Sequence, residues 1–254
     1  MLRHGKRLGI GLIMAISFFV VLFLIFSPIF PKAPDGTPQN GLQWADRMFN
    51  RLAKGSSYFI PKLVKSNEKF MGKMFTVSIK MTKPDDKPGD GEKRAERASK
   101  VLINAGAKVE VKGAELKIEG DLGKVLAAAL RDSETMYRNE GEKINALYGT
   151  VMKTDDEKQM FRQWWNVLDK MNKQFMKEKK AAEAKIVSDV MKKGVEATYN
   201  FYGIEAQKVS EKAGVMVFLL VFYVVYTMWW GFAIFFTFEG IGLSMTKAKV
   251  KKEV

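Results

Sequence analysis

Two long runs without a charged residue dominate the sequence and decide most of what the chain can become. Leu8 to Phe30 reads LGIGLIMAISFFVVLFLIFSPIF, and Gly214 to Phe238 reads GVMVFLLVFYVVYTMWWGFAIFFTF. A helix rises about 1.5 Å per residue, so about 20 apolar residues cross the roughly 30 Å hydrocarbon core of a bilayer. Both runs are long enough. A helix that is apolar all round has no face to offer water, which favours lipid as its surroundings. Pro28 and Pro31 mark the exit of the first run, because proline cannot continue the hydrogen-bond ladder. A cleaved signal peptide has a shorter apolar core ending in small residues; large residues fill the end of this one, so it reads as an uncleaved anchor.

The flanking charges set an expected orientation. Arg3, Lys6 and Arg7 precede the first run, and Lys247, Lys249, Lys251 and Lys252 follow the second. By the positive-inside rule both basic tails, 1–7 and 239–254, belong in the cytoplasm. The segment between the runs, 31–213, then lies outside the cytoplasmic membrane, since long loops cross largely regardless of their charge. The expected architecture is an α+β membrane protein: two transmembrane helices (8–30 and 214–238) flanking a mostly helical extramembrane domain with a small βαββα unit.

Within the second run Tyr223, Tyr226, Trp229 and Trp230 form an aromatic set. It reads as an interfacial belt with local packing or, together with Gly231, as a contact face for a membrane partner or a groove for a quinone or lipid. Gly11 and Ala15 in the first run, and Thr227 and Gly231 in the second, have the small-xxx-small spacing that allows helices to approach closely. Glu239 sits at the expected cytoplasmic edge, where its side chain can reach water.

The central segment opens with a Pro/Gly linker, KAPDGTPQN (32–40), and an amphipathic helix, LQWADRMFNRLAKG. A second short helix is expected after Pro61. Phe75, Val77, Ile79 and Met81 alternate with polar residues as a strand does. Ala95, Ala98, Val101, Leu102 and Ala105 form a helix face ended by Gly106, and Val109, Val111, Leu116 and Ile118 form a hairpin about Lys112 and Gly113. Asp121 is placed to cap a further helix. The order β-α-β-β-α, over about 75–135, is similar in topology to the ring-building modules of secretion-system and flagellar basal-body membrane rings, through the segment AGAKVEVKGAELKIEGDLGKVLAAAL. That resemblance is an analogy of element order. From about 155 to 213 the chain reads as helix, with Trp164, Trp165, Leu168, Met171 and Phe175 on or beside its apolar stripe. The stripe either packs on the α+β unit, the preferred reading, or contacts a partner as a protein-contact helix. Gly194 and Gly203 are expected to bend the chain before the second apolar run.

Composition removes several kinds of chemistry. The chain has no cysteine, so disulfides, thiol catalysis and thiolate metal sites are excluded. Its single histidine, His4, lies in the basic flank, which argues against imidazole catalysis and His-held zinc or haem. The formal charge is +14, from 42 Lys and Arg against 28 Asp and Glu. The basic residues are interspersed with acidic ones, a pattern of a solvated surface attracted to lipid headgroups rather than of a nucleic-acid interface. DDKPGDGE (85–92) loosely resembles a calcium loop but lacks EF-hand spacing and reads as a turn. GDLG (120–123) opens a helix without either phosphate-binding fingerprint. No carboxylate pair stands out for glycosidase work, and nothing supports a Ser-Lys dyad at Ser56 or Ser57. The expectation is a non-enzymatic scaffold or accessory subunit without a cofactor, its partners being membrane lipid and other membrane proteins or a second copy of itself. The alternative is an extracytoplasmic ligand-binding sensor or transport accessory.

Overall fold

A computed structural model of the chain describes residues 4–152 and 156–243. It is mostly helical with one small sheet, and it divides into two compact units, Met1–Leu52 with Lys208–Val254 and Ala53–Gln207.

In the first unit the two helices long and apolar enough to cross a membrane, α1 (Gly5–Phe26) and α10 (Val209–Gly240), pack on each other. Leu8 meets Gly240, Gly11 meets Thr237, and Phe18 meets Tyr226, so the pair is antiparallel. The first helix ends at Phe26, earlier than the apolar run, because the residue before a proline is pushed out of helical geometry. Ser27 is accordingly extended. After the turn, Phe30 bridges to Gln39, and Asn40 and Gln43 cap α2 (Gly41–Ser56) reciprocally. Each accepts the other's backbone N–H, at 3.0 and 2.9 Å, which satisfies two otherwise orphaned donors.

The second unit is built on an antiparallel sheet of order β1-β3-β2, with β1 Met74–Lys80, β2 Lys108–Lys112 and β3 Glu115–Asp121. Phe75, Val77 and Ile79 point to the core face opposite Leu116 and Ile118, and the intervening side chains face solvent. The expected hairpin forms, with Gly113 at φ +57° in its turn. Ahead of the sheet lies α3 (Ile60–Asn67), with Pro61 in its first turn, where no N–H is needed. The core face is covered by α4 (Asp90–Asn104), α5 (Leu122–Tyr137) and α7 (Glu157–Lys177), which bury Ala98, Leu102, Leu126, Ala129, Trp164 and Leu168. Asp121 caps α5 as expected, its side chain accepting from Lys124 N. A further helix, α6 (Gly141–Met152), has no counterpart in the periodicity.

The helical stretch expected over 155–213 is divided. It breaks first between α7 and α8 (Ala181–Asp189), at Lys179 with φ +58°. Lys180 N donates to Phe175 O and Lys179 N to Met176 O, the paired bonds of a left-handed C-terminal cap. Gly194, expected to bend the chain, instead lies inside a continuous π-helical turn, Val190–Glu196, that runs into α9 (Ala197–Phe201). An added Cβ there would come 3.3 Å from Leu130, so glycine serves close approach to α5 rather than a break. Gly203, at φ +85°, does turn the chain.

Candidate functional site

A carboxylate lies in the second unit's interior, that of Asp132 on α5, which is 1% exposed. Its Oδ2 accepts from the Tyr148 hydroxyl at 2.5 Å and the Trp164 Nε1–H at 2.8 Å, and its Oδ1 accepts from Arg131 at 3.1 and 3.2 Å. Asn104 Nδ2 donates to Tyr148 Oη at 3.2 Å. Burial, and after it the charge of Asp132, pushes the Tyr148 phenol well above its usual value. A carboxyl group against a phenol resembles an acid–base pair, yet Tyr148 and Trp164 are shut away from solvent. Four helices, α4 to α7, each supply one member or more. The cluster is a polar strap that fixes their packing.

This determines the fate of the residues expected on a protein-contact helix. Trp164, Leu168, Met171 and Phe175 are all buried in the unit's own core, packed with the α+β elements. Only Trp165, one step round the helix, reaches the surface. It lines a cleft of about 290 Å³ with Arg162, Val195, Glu196, Tyr199 and Asn200. Its indole N–H donates to Glu196 Oε2 at 3.3 Å, and Lys158 Nζ lies 4.7 Å from the Tyr199 ring centre. Glu196 ends the π turn, an element that is rare in general and frequent at functional sites. The periodicity could flag Trp165 as an edge residue, but not the π turn that completes the cleft.

The aromatic set of α10 is split by α1. Tyr226 stacks on Phe18 with ring centres 4.2 Å apart and donates to Phe18 O at 3.0 Å; Trp229 Nε1 donates to Met14 O at 3.2 Å. Trp230 lies against Phe18 and Phe19. Each of these three rings finds a ring or carbonyl on α1, and Trp230, 36% exposed, also reaches the outer surface of the pair. Tyr223, 66% exposed, and Gly231, where an added Cβ would meet nothing within 4 Å, are on the free side. Gly11 is buried against α10, and Ala15, one turn on, is half-buried. Arg7 and Glu239 form an ion pair at the end of the helix pair, so the Glu239 carboxylate has a partner within the chain. Of the flanking charges, Arg3 and the four tail lysines lie outside the described residues.

The remaining motifs are satisfied internally. In the 85–92 loop Asp86 receives both guanidinium nitrogens of Arg94, at 2.6 and 2.9 Å, and the Lys83 N–H at 2.6 Å, while Asp90 Oδ2 takes the Lys87 N–H. Among the described residues no group of three or more His, Asp or Glu is placed to hold a metal ion. The Arg94 side chain holds the Asp86 carboxyl down at about 2, against an ordinary value of 3.8. A depressed carboxyl contributes stability that is fully present above its unfolded value and is lost as pH falls through the folded one. The loop is therefore expected to stay clamped at pH 5 and to release between about pH 4 and pH 2. Amide exchange of residues 83–90 measures this, and Arg94→Ala should reduce the acid dependence to the part that the Lys83 N–H bond supports. At the GDLG turn, an added Cβ on Gly123 would lie 2.5 Å from Met71 N, so the chain itself occupies the start of α5 and leaves no phosphate cradle. Lys54, beside Ser56, is buried, with its ammonium donating to Asn139 Oδ1 at 2.9 Å and to Ile204 O. Burial lowers its pKa, but its neighbours are structural acceptors rather than a nucleophile.

No protein-family model, characterised protein or solved structure matches this chain.

Proposed function

We propose that the protein is a two-pass, membrane-anchored, non-enzymatic scaffold or accessory subunit, whose central domain makes protein–protein contacts outside the cytoplasmic membrane. The observation that carries this reading is the state of α1 and α10. Their packing on each other leaves large apolar side chains turned outward along most of their length, such as Ile13 at 68%, Phe23 at 73% and Leu220 at 65% exposure. A soluble protein rarely exposes a continuous apolar surface of that extent. The flanking charges favour both termini on the cytoplasmic side. The non-enzymatic part rests on the absence of cysteine, the single histidine and the internal satisfaction of Asp132, Asp86 and Lys54 described above.

The test exploits the cysteine-free sequence. Single substitutions Lys87→Cys and Lys249→Cys are probed in intact cells with a membrane-impermeant maleimide. Labelling of Lys87→Cys from outside, and of Lys249→Cys only after lysis, is the expected result; the reverse pattern would sink the orientation. The protein should stay in the pellet after alkaline carbonate extraction, and partners should co-purify reproducibly in mild detergent. A monomer without partners would sink the subunit role.

A second reading, an extracytoplasmic ligand-binding sensor or transport accessory, draws on the Trp165–Tyr199 cleft. It requires a small molecule whose stabilisation of the protein disappears in Trp165→Ala.

A further inference from the structure

Strand β1 is an edge of the sheet, and its hydrogen-bonding phase is fixed by its ends. Leu122 N donates to Lys73 O at 2.9 Å and Met81 N to Ala114 O at 2.8 Å, so the odd-numbered residues of β1 are the ones bonded to β3. Thr76, Ser78 and Lys80 consequently turn their N–H and C=O groups outward. Among the described residues no backbone group pairs with them. Such an edge is a template for another strand unless the fold blunts it. Here it borders a groove of about 440 Å³ whose opposite wall is α7.

The charge of that wall is one-sided. Lys170, Lys173 and Lys177 line it at helical spacings of three and four. Lys173 is engaged by Asp169 at 2.8 Å, an exposed pair that another carboxylate replaces at little cost. Lys170 reaches Thr82 O at 3.2 Å. Lys83, just past the end of β1, is pushed below its ordinary value mainly by burial, with Arg94, Arg162 and Lys170 lowering it further and Asp86 opposing them.

We propose that this groove takes an acidic segment of a partner polypeptide in extended conformation, added to β1 as a fourth strand with its carboxylates against the α7 lysines. The proposal rests on the docking role above and names the chemistry of the partner. The spacing fits: three lysines over seven helical residues span about 10.5 Å, and acidic residues at positions i, i+2 and i+4 of a strand span about 13 Å. Side chains at those alternate positions all face α7. An anionic lipid headgroup would use the lysines and the outward N–H groups, but it would leave the C=O groups of Thr76, Ser78 and Lys80 unpaired. A peptide supplies N–H donors for those carbonyls, as in other strand-addition complexes.

The test uses the full chain in detergent with a fluorescent peptide of alternating Glu and Thr, a matched peptide of alternating Gln and Thr, and phosphatidylglycerol vesicles. The Glu peptide should bind, weaken with salt, and lose about tenfold in affinity in Lys173→Gln/Lys177→Gln, the size expected for removing exposed ion pairs together. The Gln peptide should bind at least that much more weakly. Ser78→Pro should also weaken binding, since its N–H faces away from β3 and proline is tolerated at such an edge position. Should Ser78→Pro fail to fold, hydrogen exchange on the wild-type chain gives the same answer. The amides of Thr76, Ser78 and Lys80 should gain protection when the Glu peptide binds, while those of Val77 and Ile79 are already protected. Equal binding of both peptides, unchanged exchange at those three amides, or lysine-dependent binding of the vesicles without the peptide would each overturn the proposal, the last giving the groove to lipid headgroups. Partners that co-purify equally with wild type and Lys173→Gln/Lys177→Gln would overturn the groove and leave the docking role standing; absence of partners from both would remove the docking role itself.

Discussion

Asp132→Ala is expected to lower the stability of the central unit by about 2–6 kcal/mol, because it leaves two buried donors without an acceptor at about 1–3 kcal/mol each. The donors are the Tyr148 hydroxyl and the Trp164 Nε1–H, both on Oδ2 of Asp132. Neither can turn to water, since Tyr148 is 2% exposed and Trp164 is 0%. Domains of this size hold about 5–15 kcal/mol in total, so the upper end of that loss unfolds the unit near physiological temperature. Asp132→Asn keeps an oxygen able to accept from both donors and should cost less than half as much. Tyr148→Phe removes one donor together with its need, leaves Trp164 and Arg131 on the carboxyl group, and should cost about 1 kcal/mol. Denaturant unfolding of the full chain in detergent, followed by circular dichroism, ranks the three. An Asp132→Ala midpoint within the range of Tyr148→Phe would show that the strap carries little. The Tyr148 substitution has a second signature. A phenol whose folded pKa is raised contributes stability that is intact below its unfolded value near 10 and is lost as pH rises above it. Wild type should therefore weaken from about pH 10 upward more steeply than Tyr148→Phe.

The strap also shows where sequence reading stops. Alternation at Val109, Val111, Leu116 and Ile118, with Gly113 between, specified the hairpin because each signal is local and agrees with its neighbours. Asp121 and Gly106 were equally legible as cap and stop, one supplying a side-chain acceptor and the other a left-handed backbone. The break at Lys179 was not, since the same left-handed cap is built there on a lysine, a residue that gives no warning of it. Asn139 takes that conformation too, and the helix after it went unread. Asp132 finds its partners 16 and 32 residues away, on helices whose relative rotation no periodicity encodes. The basic groove is hidden for the same reason. Lys170, Lys173 and Lys177 look like an ordinary solvated helix face until the fold brings them beside the free edge of β1. In the apolar segments the sequence offered both Gly11 and Gly231 as small residues for close packing, and only contact with a particular neighbour separates them.

That separation leads to the other large effect: Gly11→Val should part α1 from α10. An added Cβ at Gly11 would lie 2.5 Å from both the backbone N and the Oγ1 of Thr237, and 3.0 Å from the carbonyl carbon of Phe236. Two of those atoms are main chain, so no side-chain rotation relieves the clash and the helices must move. Overpacking of this kind costs about 1–3 kcal/mol or more. Polar contacts between helices in a bilayer average only about 0.6 kcal/mol, so the Tyr226–Phe18 and Trp229–Met14 hydrogen bonds cannot hold the pair together against it. Because the chain has no native cysteine, Met14→Cys with Trp229→Cys and a short bis-methanethiosulfonate, which forms a disulfide with each thiol and releases two sulfinates, reports helix proximity in native membranes. Crosslinking should be efficient in that background and fall at least tenfold when Gly11→Val is added, the equivalent of about 1.4 kcal/mol. Gly9→Val and Gly231→Val place their Cβ atoms in open space and should leave the yield unchanged, although they add the same bulk to the same two helices. Thr237→Ala should not rescue Gly11→Val, since it removes Oγ1 but leaves the backbone nitrogen in place. Undiminished crosslinking in Gly11→Val would mean that the two helices are held apart at that level, and that Gly11 does not set their distance.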